Sequence, residues 1–274
     1  MKLSEMKEWL GERDVRLTKS LGQNFLHDEN QLRRIVAAAE LTESDKVLEI
    51  GPGLGPLTEL LIESAGEVLA IETDARLVEF LREKFGHCAR LRLLHEDALE
   101  HVRQRRAWQG WKLVANLPYS VASPILVELA QAAEPPARMV VTLQMEVAQR
   151  IDAQPGPKQY GVLGLLLGLR YESRGWFKIP GACFFPEPDV DSACITLVRR
   201  PEALLAAGLE RVFTRIVKRG FSQRRKMMFK LLKAEWPEER LAAAFAELGL
   251  SPQIRAERVS LAQFVALTKF LTDS

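Results

Sequence analysis

Over the first 200 residues, apolar positions fall in short runs separated by stretches of helical spacing. Lys46-Val-Leu-Glu-Ile50 predicts a strand, and residues 57–64 predict a helix behind it. Glu67-Val-Leu-Ala-Ile-Glu72 predicts a second strand, followed by a helix over 76–84. Further strands are predicted over 91–94, 112–115 and 139–143. Strands that alternate with helices in this way predict a mainly parallel sheet covered on both faces, an α/β fold. Ala193-Cys-Ile-Thr-Leu-Val198 predicts a late strand at a sheet edge. Beyond Pro201 the spacing is helical over 204–218, 224–233, 238–248 and 261–271, punctuated by Gly220, Pro237 and Gly249. The expected organisation is a Rossmann-like α/β domain over 1–200 and a small all-α domain over 201–274.

Composition changes this picture little. Of 274 residues, 47% are hydrophobic and 27% charged, and the net charge of +2 is too small to signal a polyanion partner by itself. The longest apolar run, 161–169, is far too short to span a membrane. Residues 1–20 mix Lys, Glu, Arg and Asp without an apolar centre, so no secretory signal is expected and the location is expected to be cytoplasmic. Cys88, Cys183 and Cys194 form no C-x-x-C pair and His is scarce, so neither a metal site nor a disulfide is expected. Charge is informative only locally. Residues 211–233 hold nine Lys or Arg and no acid, which suits phosphate contact, with Arg224, Arg225 and Lys226 at the centre. Phe213, Phe221, Met227, Met228 and Phe229 are interleaved with them and are expected to be helix core.

The chemistry is concentrated at the ends of the predicted strands. Glu49-Ile-Gly51-Pro-Gly53-Leu-Gly55 joins the first strand to its helix, and glycines there let a ligand approach the backbone. A dinucleotide fingerprint spaces its glycines G-x-G-x-x-G. Here the third glycine comes one residue early, which fits the G-x-G-x-G loop of S-adenosylmethionine-dependent methyltransferases better than a dehydrogenase. Glu72 ends the second strand about 20 residues on, where an acid can hold ribose hydroxyls. Asp97 follows the third strand and is placed either to accept from the cofactor's adenine amine or to cap the next helix.

Asn116-Leu117-Pro118-Tyr119 follows the fourth strand. An exocyclic amine on adenine is a poor nucleophile because its lone pair is delocalised into the ring. Two acceptors, the Asn116 side-chain oxygen and the Leu117 carbonyl, would draw that nitrogen toward tetrahedral geometry. Pro118 stiffens the turn and Tyr119 offers a stacking face.

Five segments then carry a resemblance: Leu21-Gly-Gln-Asn-Phe-Leu26, the glycine loop, Asn116-Leu-Pro-Tyr119, Phe184-Phe-Pro-Glu-Pro-Asp-Val-Asp-Ser192 and Gly220-Phe-Ser-Gln-Arg-Arg-Lys226. In this order they resemble the ribosomal RNA adenine dimethyltransferase family. The resemblance implies a class I S-adenosylmethionine-dependent methyltransferase sheet. It also implies that Asn24 and Leu26 meet the methionine part of the cofactor, Gly51 and Gly53 its backbone cradle, Glu72 the ribose and Asp97 the adenine. Asn116 would share the cofactor contact and orient the target amine, and Tyr119 and Phe184 would sandwich the target base. The implied product is N6,N6-dimethyladenosine at two adjacent adenines near the 3′ end of small-subunit rRNA, with S-adenosyl-L-homocysteine released. The implied partner is the 30S subunit or its precursor, and a protein working on so large a partner is expected to be a monomer.

Asp189 and Met145 stand where the family commonly has lysine, which removes positive charge near the presumed RNA face. Three other readings stay open. A resistance-type enzyme would act on one adenine of large-subunit RNA. A retired methyltransferase fold would serve only as an assembly factor. A DNA adenine methyltransferase would carry Asp or Asn, two prolines and an aromatic, a pattern this chain lacks.

Overall fold

A computed structural model describes residues 3–12, 24–105, 107–206 and 208–272. Its contacts divide the chain into two compact units, one of Met1–Ala148 with Ser173–Arg199 and one of Gln149–Glu172 with Arg200–Ser274. Residues 149–172 thus cluster with the C-terminal unit, whereas the sequence pattern groups them with the first domain.

The first unit is built on a seven-stranded sheet. Its strands are β2 (Lys46–Ile50), β3 (Glu67–Glu72), β4 (Leu91–His95), β5 (Trp111–Asn116), β6 (Arg138–Gln144), β7 (Tyr171–Ile179) and β9 (Ser192–Arg199), in the order β4-β3-β2-β5-β6-β9-β7. β2 pairs in parallel with β3 and β5, β3 with β4, and β5 with β6; β9 runs antiparallel to β6. The chain leaves β2 toward β3 and β4, then crosses back to β5. The loops after β2 and β5 therefore diverge at a switch point of the sheet, where open α/β sheets bind ligands.

Strand side chains alternate between faces, and here both sets are buried. Val47, Val68, Val114 and Val140 pack with Leu32, Ile35 and Ala39 of α2 (Glu29–Ala39) and Leu57 and Leu61 of α3 (Pro56–Ser64). Leu48, Leu69, Leu113 and Met139, one residue out of phase, are buried as well. α2 begins where Asp28 accepts from the Gln31 N–H at 2.9 Å, and its buried residues repeat at helical spacing.

The strand over 192–199 is not an edge. It lies between β6 and β7, and β7 takes the outer place. β7 carries Glu172, Ser173, Arg174, Gly175 and Lys178, which hide it from an apolar-run criterion and suit an exposed edge. Two short strands, β1 (Phe25–Leu26) and β8 (Phe184–Phe185), pair antiparallel beside the sheet. An N-terminal helix, α1 (Leu3–Glu12), buries Met6 against Phe25, Leu54, Leu77 and Phe80. Residues 13–23, including Leu21-Gly-Gln23 of the first motif, lie outside the described residues.

The second unit is helical. α9 (Glu210–Phe221) buries Phe213, Ile216, Val217 and Gly220 and exposes Arg211, Arg215 and Lys218. α10 is Met228–Leu232, α11 Glu238–Glu247 and α12 Leu261–Thr272. Two predicted helices are shorter than the periodicity suggests. Gly208, at φ 91°, delays the start of α9, and residues 222–227 form turns rather than the first half of a helix. Of the interleaved apolar residues, Phe213 and Met228 are fully buried, and Phe229 packs edge-on against Phe245.

Among the described residues no helix is long and apolar enough to cross a membrane, and no three His, Cys, Asp or Glu are grouped as a metal site. The three cysteines are free thiols.

Candidate active site

A cleft of about 490 Å3, open to solvent, lies at the carboxyl edge of the sheet in the first unit. Asn24, Phe25, Gly51, Gly53, Glu72, Thr73, Leu77, Asn116, Leu117, Pro118 and Tyr119 line it. Eight of the positions singled out by sequence thus converge from four segments of the chain.

The glycine loop bends as its composition requires. Gly53 sits at φ 62°, and a Cβ there would come within 2.7 Å of the Phe25 ring. Gly55, at φ 76°, caps α3 with Pro56 at its first position, and a Cβ would strike the Phe85 ring at 2.6 Å. Both constraints hold the backbone close to the cleft.

Glu72 is 6% exposed. Its Oε1 accepts from the N–H groups of Thr73 (2.9 Å) and Asp74 (3.0 Å), and its Oε2 accepts from the Gly53 N–H (3.2 Å). Burial pushes its pKa up, the three backbone donors pull it down, and the Asp74 charge pushes it up again. A carboxylate accepts about four hydrogen bonds. With three in place, one acceptor site is left over.

Glu49, in the motif but given no role by sequence, lies behind the loop at 1% exposure and accepts from the Thr58 hydroxyl at 2.8 Å. Burial raises its pKa to about 8; the Thr58 bond opposes this and the Glu72 charge adds to it. The folded protein therefore holds a proton here that the unfolded chain releases near pH 4.5. Stability from this group is complete below that pH and is lost as pH rises through about 8. Glu49→Gln, which keeps the Thr58 bond, is expected to gain stability relative to wild type as pH rises from 5 to 8. Chemical denaturation across that range checks it, and a constant difference would contradict it.

Asn116 ends β5. Its Nδ2 donates to the Asn24 carbonyl at 2.9 Å. Its Oδ1 is buried and has no partner among the described residues. Leu117 follows with its N–H on the Thr142 carbonyl at 3.0 Å. The Tyr119 hydroxyl shares a 2.5 Å hydrogen bond with Ser192 Oγ, which fixes the ring at the cleft. Burial raises the Tyr119 pKa against that bond, so the phenol stays neutral.

Three expected residues are placed elsewhere. Leu26 (2% exposed) and Phe184 (3%) are core, packed with Leu32, Ile35 and Ile179 through the β1–β8 pairing. Neither is among the residues that line the cleft; both side chains are buried in the core instead. Asp97 is exposed, caps α5 (Ala98–Gln104) by accepting from the Glu100 N–H at 3.0 Å, and stands outside the lining. Sequence reading missed Phe25, Thr73, Leu77 and Ser192. Phe25 and Ser192 were inside quoted motifs, and Thr73 adjoins Glu72. Leu77 reads as one more apolar helix residue.

The basic triad lies in the second unit and is exposed. Arg224 donates to the Lys158 carbonyl (2.8 Å) and pairs with Glu257 (3.2 Å), so it braces its own unit. Among the described residues no acid lies within ion-pair distance of Arg225 or Lys226. Arg215 and Arg219 are drawn to Glu235, and Lys233 to Glu238. The one-sign run is thus partly neutralised by acids beyond its ends.

The cleft suits S-adenosylmethionine. It joins apolar walls (Phe25, Leu77, Pro118), a glycine backbone without side chains and a buried acid at a strand end. The unpaired Asn116 Oδ1 waits for a donor.

The model of the family described as ribosomal RNA adenine dimethylase matches residues 15–273. Ribosomal RNA small subunit methyltransferase A of Latilactobacillus sakei subsp. sakei (strain 23K) is 38% identical over 266 residues, covering 93% of this chain and 90% of that protein. The protein of the same name from Streptococcus pneumoniae serotype 2 (strain D39 / NCTC 7466) is 40% identical over 264 residues, covering 92% and 91%. Among solved structures, the 23S rRNA methyltransferase ErmE superposes with a TM-score of 0.70 at 27% identity, covering 90% of this chain and 99% of that one. A dimethyladenosine transferase from Plasmodium falciparum superposes with a TM-score of 0.76 at 23% identity, covering 89% and 95%, and shares the fold. By sequence match, fold and cleft together, the chain belongs to the ribosomal RNA adenine dimethylase family.

Proposed function

We propose that this enzyme transfers methyl groups from S-adenosylmethionine to the N6 amines of two adjacent adenosines near the 3′ end of small-subunit rRNA, giving N6,N6-dimethyladenosine. The observation that carries the reading is the Asn116 side chain, tied by its nitrogen and left with an unpaired buried oxygen at the cleft. A buried acceptor without a partner costs about 1–3 kcal/mol, and an amine donor that enters the cleft removes that cost.

The cofactor supplies an electrophilic methyl group when bound, so no strong base is required of the protein. Glu72 and the glycine loop hold the nucleoside end. Asn116 Oδ1 and the Leu117 carbonyl accept from the target amine and aim its lone pair. Tyr119, braced by Ser192, stacks on the target base. Positioning of this kind supplies about 7–11 kcal/mol in well-oriented reactions.

The helical second unit is proposed as the RNA-recognition part, acting as a monomer on the 30S subunit or its precursor in the cytoplasm. With Arg224 engaged internally, Arg225 and Lys226 are the triad's phosphate contacts. Replacing both with Ala is expected to flatten the salt dependence of RNA binding by about 1.5 to 2 units of slope. Arg224→Ala is expected to lower thermal stability instead. Titrations at several salt concentrations check this, and an unchanged slope in the double variant would contradict it.

A second reading, methylation of one large-subunit adenine, is favoured by the superposition with ErmE. The higher identity over nine-tenths of the small-subunit relatives outweighs it. Transfer of labelled methyl groups to undermethylated small or large subunits, with Asn116→Ala as control, separates the two.

A further inference from the structure

We infer that the backbone carbonyl of Asn24 is a positioning group for the transfer, setting which end of the Asn116 amide meets the target amine. This rests on the proposed role of Asn116. A primary amide has two ends of nearly equal size, and only one can accept a hydrogen bond. The Asn24 carbonyl takes the Nδ2 end at 2.9 Å. Turning the amide over would set two oxygens against each other, so Oδ1 is left as the one free acceptor.

That carbonyl is itself held in place. Phe25 pairs with Phe185 and Leu26 with Phe184. The His27 N–H donates to the Cys183 carbonyl at 2.9 Å, and Asp28 anchors the chain by capping α2. Phe184 and Leu26 sit under this pairing in the core, which gives them a role their absence from the cleft would otherwise deny. The segment that precedes α2 and the segment that precedes β9 therefore meet to fix one catalytic amide.

Asn116→Asp tests this. The ionised acid cannot donate to the Asn24 carbonyl; the protonated acid can, while its other oxygen still accepts from the amine. The titratable groups lining the same cleft are Glu72 and Tyr119. Wild-type transfer to the RNA substrate is measured first across pH 6 to 8.5, so that loss of the proposed reaction is separated from loss of this inference. The variant-to-wild-type ratio of kcat is expected to lie about a hundredfold or more below one throughout this range and to rise, by up to about tenfold per pH unit, as pH falls and more of the acid is protonated. A ratio that is flat or rises with pH would overturn the inference.

A second pair of variants reads the backbone. His27→Pro removes the N–H that ties this segment to Cys183, and His27→Ala keeps it. The proline variant is expected to lose about tenfold in kcat against the alanine variant, with equal binding of S-adenosyl-L-homocysteine. Equal kcat in both would also overturn it.

Discussion

Asn116→Ala is expected to lower kcat for methyl transfer by about 100- to 1,000-fold, with the KM for RNA within a few-fold of wild type. Removing one preorganised group at the reacting centre typically has an effect of this size. Under the proposed role the loss belongs in kcat, because a contact from the amide oxygen to the amine would strengthen as the nitrogen becomes tetrahedral. The side chain is also replaceable without a large packing defect. It makes one hydrogen bond through Nδ2, and its oxygen is already unpaired. Single-turnover kinetics with saturating cofactor checks this. A rise in KM with kcat unchanged would make Asn116 a binding residue only.

Glu72→Ala is expected to weaken binding of S-adenosyl-L-homocysteine by roughly a hundredfold and to lower stability by about 2–3 kcal/mol. Both effects follow from one set of contacts. The carboxylate accepts from three backbone N–H groups, of Gly53, Thr73 and Asp74, and so ties the glycine loop to the end of β3. Its remaining acceptor site faces the cleft that the ribose would enter. Alanine strands the three donors and would remove the proposed ribose partner as well. Calorimetric titration with the cofactor product, paired with thermal unfolding, separates the two. A fall in melting temperature with unchanged affinity would reduce Glu72 to a loop staple.

The parallel half of the sheet was legible because each strand is a short, mainly apolar run followed by a helical pattern. The cleft was legible because glycine loop, acid and Asn-Leu-Pro-Tyr each follow such a run, and parallel strands bring their carboxyl ends to one edge. What stayed hidden has physical causes. β7 is an edge strand with polar and glycine positions, so it carries no apolar run. Asp97 can serve as cap or ligand by sequence, and only the Glu100 hydrogen bond shows the cap to be formed. Phe184 is an aromatic inside a chemical motif, and its type does not say whether it faces a substrate or the core beneath β1. Arg224 looks identical to Arg225 in the chain; its bracing by Glu257 and the Lys158 carbonyl depends on residues 33 and 66 positions away.

The reaction product tests the proposed activity most directly. Small subunits from cells lacking this methylation would be incubated with the protein and S-adenosylmethionine, and the rRNA digested for nucleoside mass spectrometry with the position of modification mapped. The account predicts N6,N6-dimethyladenosine at two adjacent adenines near the 3′ end. Modification confined to large-subunit RNA, or no methyl transfer by protein that binds the cofactor, would contradict it.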